Sequence, residues 1–189
     1  MKIQTHPLTP ERLKDFEAYF EYAGTCSGCW CMNHRLPTGL DFEGEAAKLA
    51  MRELIKTQRV FGVLAYVEND QIPVGWVALD RRKTLPGHDC IGEDIKGLKT
   101  YWSIHCVTSR KDYKQMGVET QLVKAATVLA EQLGATTIEA YPEPDSHPEQ
   151  VFKTWNTFSG YHSDYSYLNY TKKKSALEGE FFLTLIKQI

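Results

Sequence analysis

The sequence predicts an α/β layered domain, with helices packed on a mixed sheet. Three observations carry that expectation. Residues 101–119, YWSIHCVTSRKDYKQMGVE, open as a β-branched and aromatic strand over 101–108 and pass through a polar turn into a long amphipathic helix. Two strand-like runs, 60–67 and 72–79, flank Glu68-Asn69-Asp70-Gln71, which is a hairpin signal. Helical spacing recurs on both sides of these, so helices and strands share one chain, and 189 residues suit one domain with its own core.

Taken in order, residues 2–5 can be a first strand. Thr9 then offers an N-cap followed by Pro10 at the first helical position, Leu13, Phe16, Phe20 and Ala23 recur at helical spacing, and Gly24 suits the position just past the helix. A loop over 25–40 holds CSGCWCMNHRLPTG. A second helix is expected over 41–58, with Ala47, Ala50, Met51 and Leu54 as its apolar stripe. After the hairpin, the Gly- and charge-rich connection 81–99 is expected to be mobile and to contribute to the rim of a site. The helix over 118–133 should turn Val118, Leu122, Ala125, Leu129 and Leu133 inward, with Gly134 closing it. Residues 136–141 form another strand, ended by Pro142. The Pro-rich stretch 142–160 reads as loop, a short helix over 161–168 is capped by Asn169, and 170–175 with 181–187 make a closing hairpin around Leu177-Glu178-Gly179.

Composition narrows the function. A net charge of −2 gives no basic face for nucleic acid. No apolar run approaches the roughly 20 residues that cross a bilayer. The opening MKIQTHPLTPERL lacks the apolar core of a signal peptide, and five cysteines are an odd number, so reduced thiols in the cytosol are expected.

The turn after the 101–108 strand has the makings of an anion site. The first N–H groups of a helix have no intrahelical partner, and its dipole favours negative charge there. Gly117 lets a phosphate approach the backbone, and Lys114 adds a point charge. An ordinary strand-to-helix turn would read the same way from these two residues alone.

The stretch resembles motif A of the GNAT N-acetyltransferases, whose Arg/Gln-x-x-Gly-x-Gly/Ala turn cradles the pyrophosphate of acetyl-CoA. Here it reads Lys114-x-x-Gly117-x-Glu119, with Lys in place of Arg or Gln and Glu119 in place of a small residue. GVLAYVENDQIPVGWVALDRR, YWSIHCVTSRKDYKQMGV, GATTIEAYP and Cys29-Trp30-Cys31-Met32 are similar to a bacterial subgroup of that family. The resemblance implies a mostly antiparallel central sheet flanked by helices. It implies coenzyme contacts from Cys106, Val107 and Thr108, along whose backbone pantetheine would lie, and from Lys114, Gln115, Met116, Gly117, Val118 and Glu119. A backbone N–H near Cys106 would polarise the thioester carbonyl; the Cys106 thiol itself reads as core.

By the same resemblance Tyr165, four residues ahead of Asn169-Tyr170 where the family has Gly-Phe, is the candidate acid for the leaving thiolate. The alternative is an amphipathic wedge under the helix. Glu139 and His105, on the two strands expected to flank the thioester, are candidate bases, directly or through water, unless they face the other side of the sheet.

Cys26-x-x-Cys29-x-Cys31 with His34 allows a Cys₃His zinc site. No second ligand cluster braces it, and the resemblance places this loop over the acceptor pocket. The expectation is therefore no metal, with Cys29, Trp30, Cys31 and Arg35 contacting the acceptor. The whole implies an acetyl-CoA-dependent N-acetyltransferase of a small-molecule or protein amine, with a homodimer left open. The alternatives are a non-catalytic acyl-CoA-binding regulator and a metal-binding or thiol-sensing module.

Overall fold

Side-chain alternation decides the layers. The computed structural model describes residues 1–23, 28–37, 43–86, 100–143, 145, 159–173 and 184–189. β1 (Ile3–Pro7) forms one edge of the sheet, starting one residue later and ending two residues later than the sequence suggested, and Pro7 is tolerated at that edge. A 3₁₀ turn, Pro10–Arg12, leads into α1 (Leu13–Ala23). Thr9 precedes the turn in extended backbone, but its hydroxyl makes no capping bond, so of the two expected start signals only Pro10 acts. α2 (Gly44–Lys56), β2 (Phe61–Val67) and β3 (Gly75–Arg81) follow. Ile72 and Pro73 fall outside β3, because Pro73 has no N–H for a ladder.

β4 (Tyr101–Ser109) feeds α3 (Val118–Gln132), and β5 (Thr137–Ala140) follows. α4 (His162–Tyr165) continues as a 3₁₀ turn, Ser166–Leu168, and ends at Asn169 with φ 60°, the left-handed cap the sequence predicts. β6 (Thr171–Lys173) and β7 (Thr184–Gln188) make the closing antiparallel pair. Residues 87–99 of the connection read as mobile, Gly24, Cys26, Asp41, residues 146–158 and the Leu177-Glu178-Gly179 turn lie outside the described residues.

The seven strands run in the order β1-β2-β3-β4-β5-β7-β6, antiparallel at every step except β4–β5. This is the mixed, mostly antiparallel sheet flanked by helices that the sequence predicts. Val63, Ala65 and Val67 of β2, Val77 and Leu79 of β3, and Trp102, Ile104 and Val107 of β4 pack under α3. Leu64, Trp76, Ala78 and Cys106 face the other way, with Phe16, Tyr19 and Phe20 of α1 and Ala47, Met51 and Ile55 of α2.

The α3 stripe differs from the sequence reading. Val118 and Leu122 are buried as expected, but Ala126 and Ala130 continue the stripe, joined by Val123 and Thr127, while Ala125 and Leu129 are only partly covered. The small side chains at 126 and 130 let the helix lie close to the sheet. Leu133 lies past the last helical turn and is exposed.

Gly62 is the tightest position among the described glycines. It pairs with Ala78 beneath the Trp76 indole, and a Cβ there would sit 2.1 Å from Trp76 Cη2 and 2.4 Å from the Val77 carbonyl oxygen. Gly62→Ala is therefore expected to force a backbone or indole shift costing about 1–3 kcal/mol. In a chain of this size the melting temperature should fall by several degrees, roughly 2–4 °C per kcal/mol. A thermal melt that matches the parent would mean the indole moves aside freely.

Candidate active site

β4 and β5 run parallel and paired only from Tyr101↔Thr137 to Ile104↔Ala140. β5 then ends, while β4 continues for five residues more, so the two strands part. At the parting β4 carries an extra residue. Leu79 pairs with Ile104 and Ala78 with Cys106, which leaves His105 without an opposite number on β3. The bulge turns His105 and Cys106 to the same side, towards α1 and α2.

Asp80, Ser103 and Glu139 stand abreast on that side, on β3, β4 and β5. All three are buried, as are His105 and Arg82. A buried carboxylate needs partners, and Asp80 has several. Arg35 Nη2 donates to Asp80 Oδ2, His105 Nε2 lies 3.0 Å from the same oxygen, and the Phe61 N–H reaches Oδ1 at 3.4 Å. Because the carboxylate accepts from Nε2, Nδ1 is the basic nitrogen of a neutral His105 ring. Burial holds the His105 pKa below its ordinary value, against the raising effect of Asp80, so the ring is neutral at neutral pH. His34 packs edge-on against it at 5.4 Å and is held lower still, by burial first and then by His105 and the two arginines.

Arg82 Nε stands 2.8 Å from Glu139 Oε1. Burial and the Glu139 charge push the Tyr141 phenol well up. Both candidate bases therefore lie in one buried polar cluster, and each is held by a partner. The sequence reading missed those partners, Asp80 and Arg82. The available signal was a carboxylate ending the otherwise apolar run Gly75-Trp76-Val77-Ala78-Leu79 and the basic pair after it.

The 28–37 loop packs against this cluster through His34 and Arg35. Trp30 and Cys31 both adopt left-handed backbone, φ 47° and 56°, strained for non-glycine residues. The turn is held from several directions. Arg35 Nη1 donates to the Cys31 carbonyl, Met32 N–H to the Cys29 carbonyl at 2.8 Å, and Trp76 Nε1–H to Cys31 Sγ at 3.2 Å. Cys31 Sγ also lies 3.5 Å from Cys106 Sγ. Cys29, Trp30 and Cys31 are buried, and Trp30 stacks on Phe20 with Lys48 Nζ 5.3 Å over its ring. Of the four residues expected to meet the acceptor, Arg35 is the one placed in the polar cluster. Among the described residues no three His, Cys, Asp or Glu side chains converge as a metal set.

At the other end of β4 the Val107 side chain is in the α3 core, and the Thr108 hydroxyl is bonded to Tyr19 at 2.6 Å. The turn to α3 is pinned by Arg110, whose N–H donates to Val74 O at 2.9 Å and whose guanidinium reaches Asp70 and Asp112. Gln115 and Gly117 have φ 61° and 79°, and the first helical bond runs from Gln121 N–H to Gly117 O. The amides between Gly117 and Gln121 precede that bond, and the first N–H groups of a helix have no partner within it. Glu119 is buried and folded back. It accepts from Ser109 Oγ at 2.5 Å and Lys114 Nζ at 3.1 Å. Met116 is exposed and Val118 is core.

The parting of β4 and β5 is not empty. Ser159 forms a parallel bridge with Val107, and Tyr161 forms one with Glu143, which continues the line of β5. Tyr165 is fully buried, and its hydroxyl donates to the Ser159 carbonyl at 2.7 Å. Burial raises its pKa well above the ordinary phenol value, so it keeps its proton throughout the neutral range. Thr120 ties α3 to α4 through Asp164 Oδ1 at 2.7 Å.

Glu143 is buried with one carboxylate oxygen unbonded, and burial raises its pKa to about 7 in spite of Lys114. A carboxyl whose pKa is raised on folding stabilises the fold while protonated. That contribution is complete below the unfolded value of about 4.5 and is lost as pH rises through about 7. Glu143→Gln should remove this slope, so thermal melts at pH 5 and pH 8 should differ less in the variant than in the parent. Equal slopes would mean the carboxyl finds a partner when it ionises.

Neither a protein-family model nor a curated protein matches this sequence. Solved structures do match its fold. PaiA N-acetyltransferase of Thermoplasma acidophilum, in complex with coenzyme A, aligns over all of both chains at 13% identity and a TM-score of 0.56. Salmonella typhimurium yncA, solved with its cofactor acetyl-CoA, aligns over 98% of this chain and 93% of its own at 10% identity and 0.56. A Desulfovibrio desulfuricans protein described as a GNAT-family acetyltransferase aligns over 99% of both chains at 10% identity and 0.54. At these identities the likeness is one of architecture: this chain has the GNAT acetyltransferase fold.

Proposed function

We propose that the protein is an acetyl-CoA-dependent N-acetyltransferase that acylates an amine of a small molecule or protein. The observation that carries this reading is the parallel pair that parts after Ile104 and Ala140, followed at once by the left-handed turn opening α3. A parted pair lets a thioester arm run along β4, in exchange for the single bridge from Ser159 to Val107, and the turn offers amides for its pyrophosphate.

In this reading Lys114, Gln115, Met116, Gly117, Val118 and Glu119 form the pyrophosphate turn. Cys106, Val107 and Thr108 present backbone to the pantetheine arm. The acceptor nitrogen attacks the thioester carbonyl carbon, a C–N bond forms, and the C–S bond breaks. His105, oriented by Asp80, takes the amine proton on Nδ1, directly or through water; its neutral state at neutral pH suits that role. Glu139, paired with Arg82, is the other candidate base. Tyr165, protonated throughout the neutral range, gives its proton to the departing thiolate. Cys29, Trp30, Cys31 and Arg35 shape the acceptor side. Arg35 supplies the charge, and the other three hold the strained turn that presents it.

A screen of amines monitored by thiol release from acetyl-CoA tests the reaction; release that no amine stimulates removes it. The Lys114–Glu119 pair bears on affinity. Its cation is partly neutralised, so Glu119→Gln should tighten coenzyme A binding by about threefold at low salt and less as salt rises. Calorimetry on the variant checks this, and unchanged affinity would place the phosphates beyond the reach of Lys114.

Tyr165→Phe keeps the ring and its packing and removes the hydroxyl. If chemistry limits turnover, kcat should fall by at least about a hundredfold, the usual scale of general-acid help. The fall should shrink with an acyl donor whose leaving thiol is more acidic. A variant with near-normal kcat would take Tyr165 out of the mechanism.

A further inference from the structure

We propose that Ser159-Gly160-Tyr161 occupies, in the ligand-free protein, the track along β4 that the pantetheine arm takes, and that the arm must displace it. The proposal rests on the acetyltransferase reading above. A strand has two edges, and each stretch of edge can pair with one neighbour. At Val107 one edge is taken by Val77 of β3. The other is taken by Ser159. Pantetheine amides bound along Cys106, Val107 and Thr108 would need those same backbone groups, so the two occupants exclude each other.

The segment is held on both flanks. On the β5 side Glu143 N–H donates to Gly160 O at 2.8 Å and His162 N–H to Glu143 O at 2.9 Å. On the β4 side it has the bridge to Val107 and the Tyr165 hydroxyl on the Ser159 carbonyl. Ser159 is buried, as an inserted strand residue would be. Gly160, at φ 81°, swings the chain from one flank to the other, where an added Cβ would come within 3.2 Å of Asp164 Oδ2. Each flank is only one bridge long. The arm can replace those bonds with its own amide groups, bond for bond.

Displacement has a chemical consequence. While Ser159 is in place, the Tyr165 hydroxyl is committed to its carbonyl. Once Ser159 leaves, that hydroxyl has no acceptor from the segment and can turn to the sulfur of the arm that replaced it. Coenzyme loading and the freeing of the proton donor are then one event, so Tyr165 is not offered to solvent or to a wrong ligand before the arm arrives.

Hydrogen–deuterium exchange on the full-length chain, with and without coenzyme A, tests this. Bound coenzyme A should slow exchange at the amides of residues 117–121 and speed it in the peptide covering 159–162 by about tenfold or more, as expected when a local element opens. Slowing at 117–121 with equal or greater protection at 159–162 would overturn the proposal while leaving the coenzyme reading intact. No change at either place would defeat both. A second measurement separates the clamp from the fold. Tyr165→Phe removes the bond to Ser159, so coenzyme A should associate about three- to tenfold faster, the factor one hydrogen bond is worth, with dissociation little altered. An association rate equal to or below the parent's would overturn the proposal.

Discussion

One extra residue in β4 sets the rest of the site. Without the bulge at His105, alternation would carry Trp102, Ile104 and Cys106 to the α3 side and leave Val107 facing α1 and α2. With it, Val107 joins the α3 core and two neighbours, His105 and Cys106, face the opposite helices together. That shift brings the Cys106 thiol to Cys31, beside the imidazole on Asp80, at the point where β5 departs. A ladder without it would keep His105 on the Asp80 side but turn Cys106 under α3 and take Val107 out of the core it fills.

The buried charges follow from the same geometry. Asp80 is an ionised group in the middle of a sheet, and it is tolerable because Arg35 comes down from the loop to meet it. The arginine in turn holds the Cys31 carbonyl and so the left-handed turn at Trp30 and Cys31. Removing either partner would leave a charge without compensation, and the loop and the strand would lose their connection together.

How much of this was legible in the sequence depends on range. Alternation and helical spacing are local, so the β2–β3 hairpin, β4, α3, α4 and its Asn169 cap could all be read from the chain. The α3 stripe was misassigned because Leu129 and Leu133 are larger than Ala126 and Ala130, and hydrophobicity alone favours the larger side chains over the ones that permit close packing. The partners Asp80 and Arg82 were not legible, because they meet His105, Arg35 and Glu139 across distances in sequence that only the sheet closes. Glu119 looked like a charge facing the anion turn. It is instead folded under the turn against Ser109 and Lys114, a choice made by burial that no local pattern records.

The Trp76 indole donating to the Cys31 sulfur gives the protein an optical property. A sulfur held against an indole drains its excited state, so Trp76 should be dim as long as the Cys31 turn sits on the sheet. Trp102 lies in the other core, beneath α3, and Trp30 is stacked on Phe20 with a lysine above it. These three indoles therefore occupy three distinct surroundings, and two of them, Trp30 within the 28–37 loop and Trp76 beneath it, report on that loop. The chain carries its own dye beneath the loop that covers its buried polar cluster.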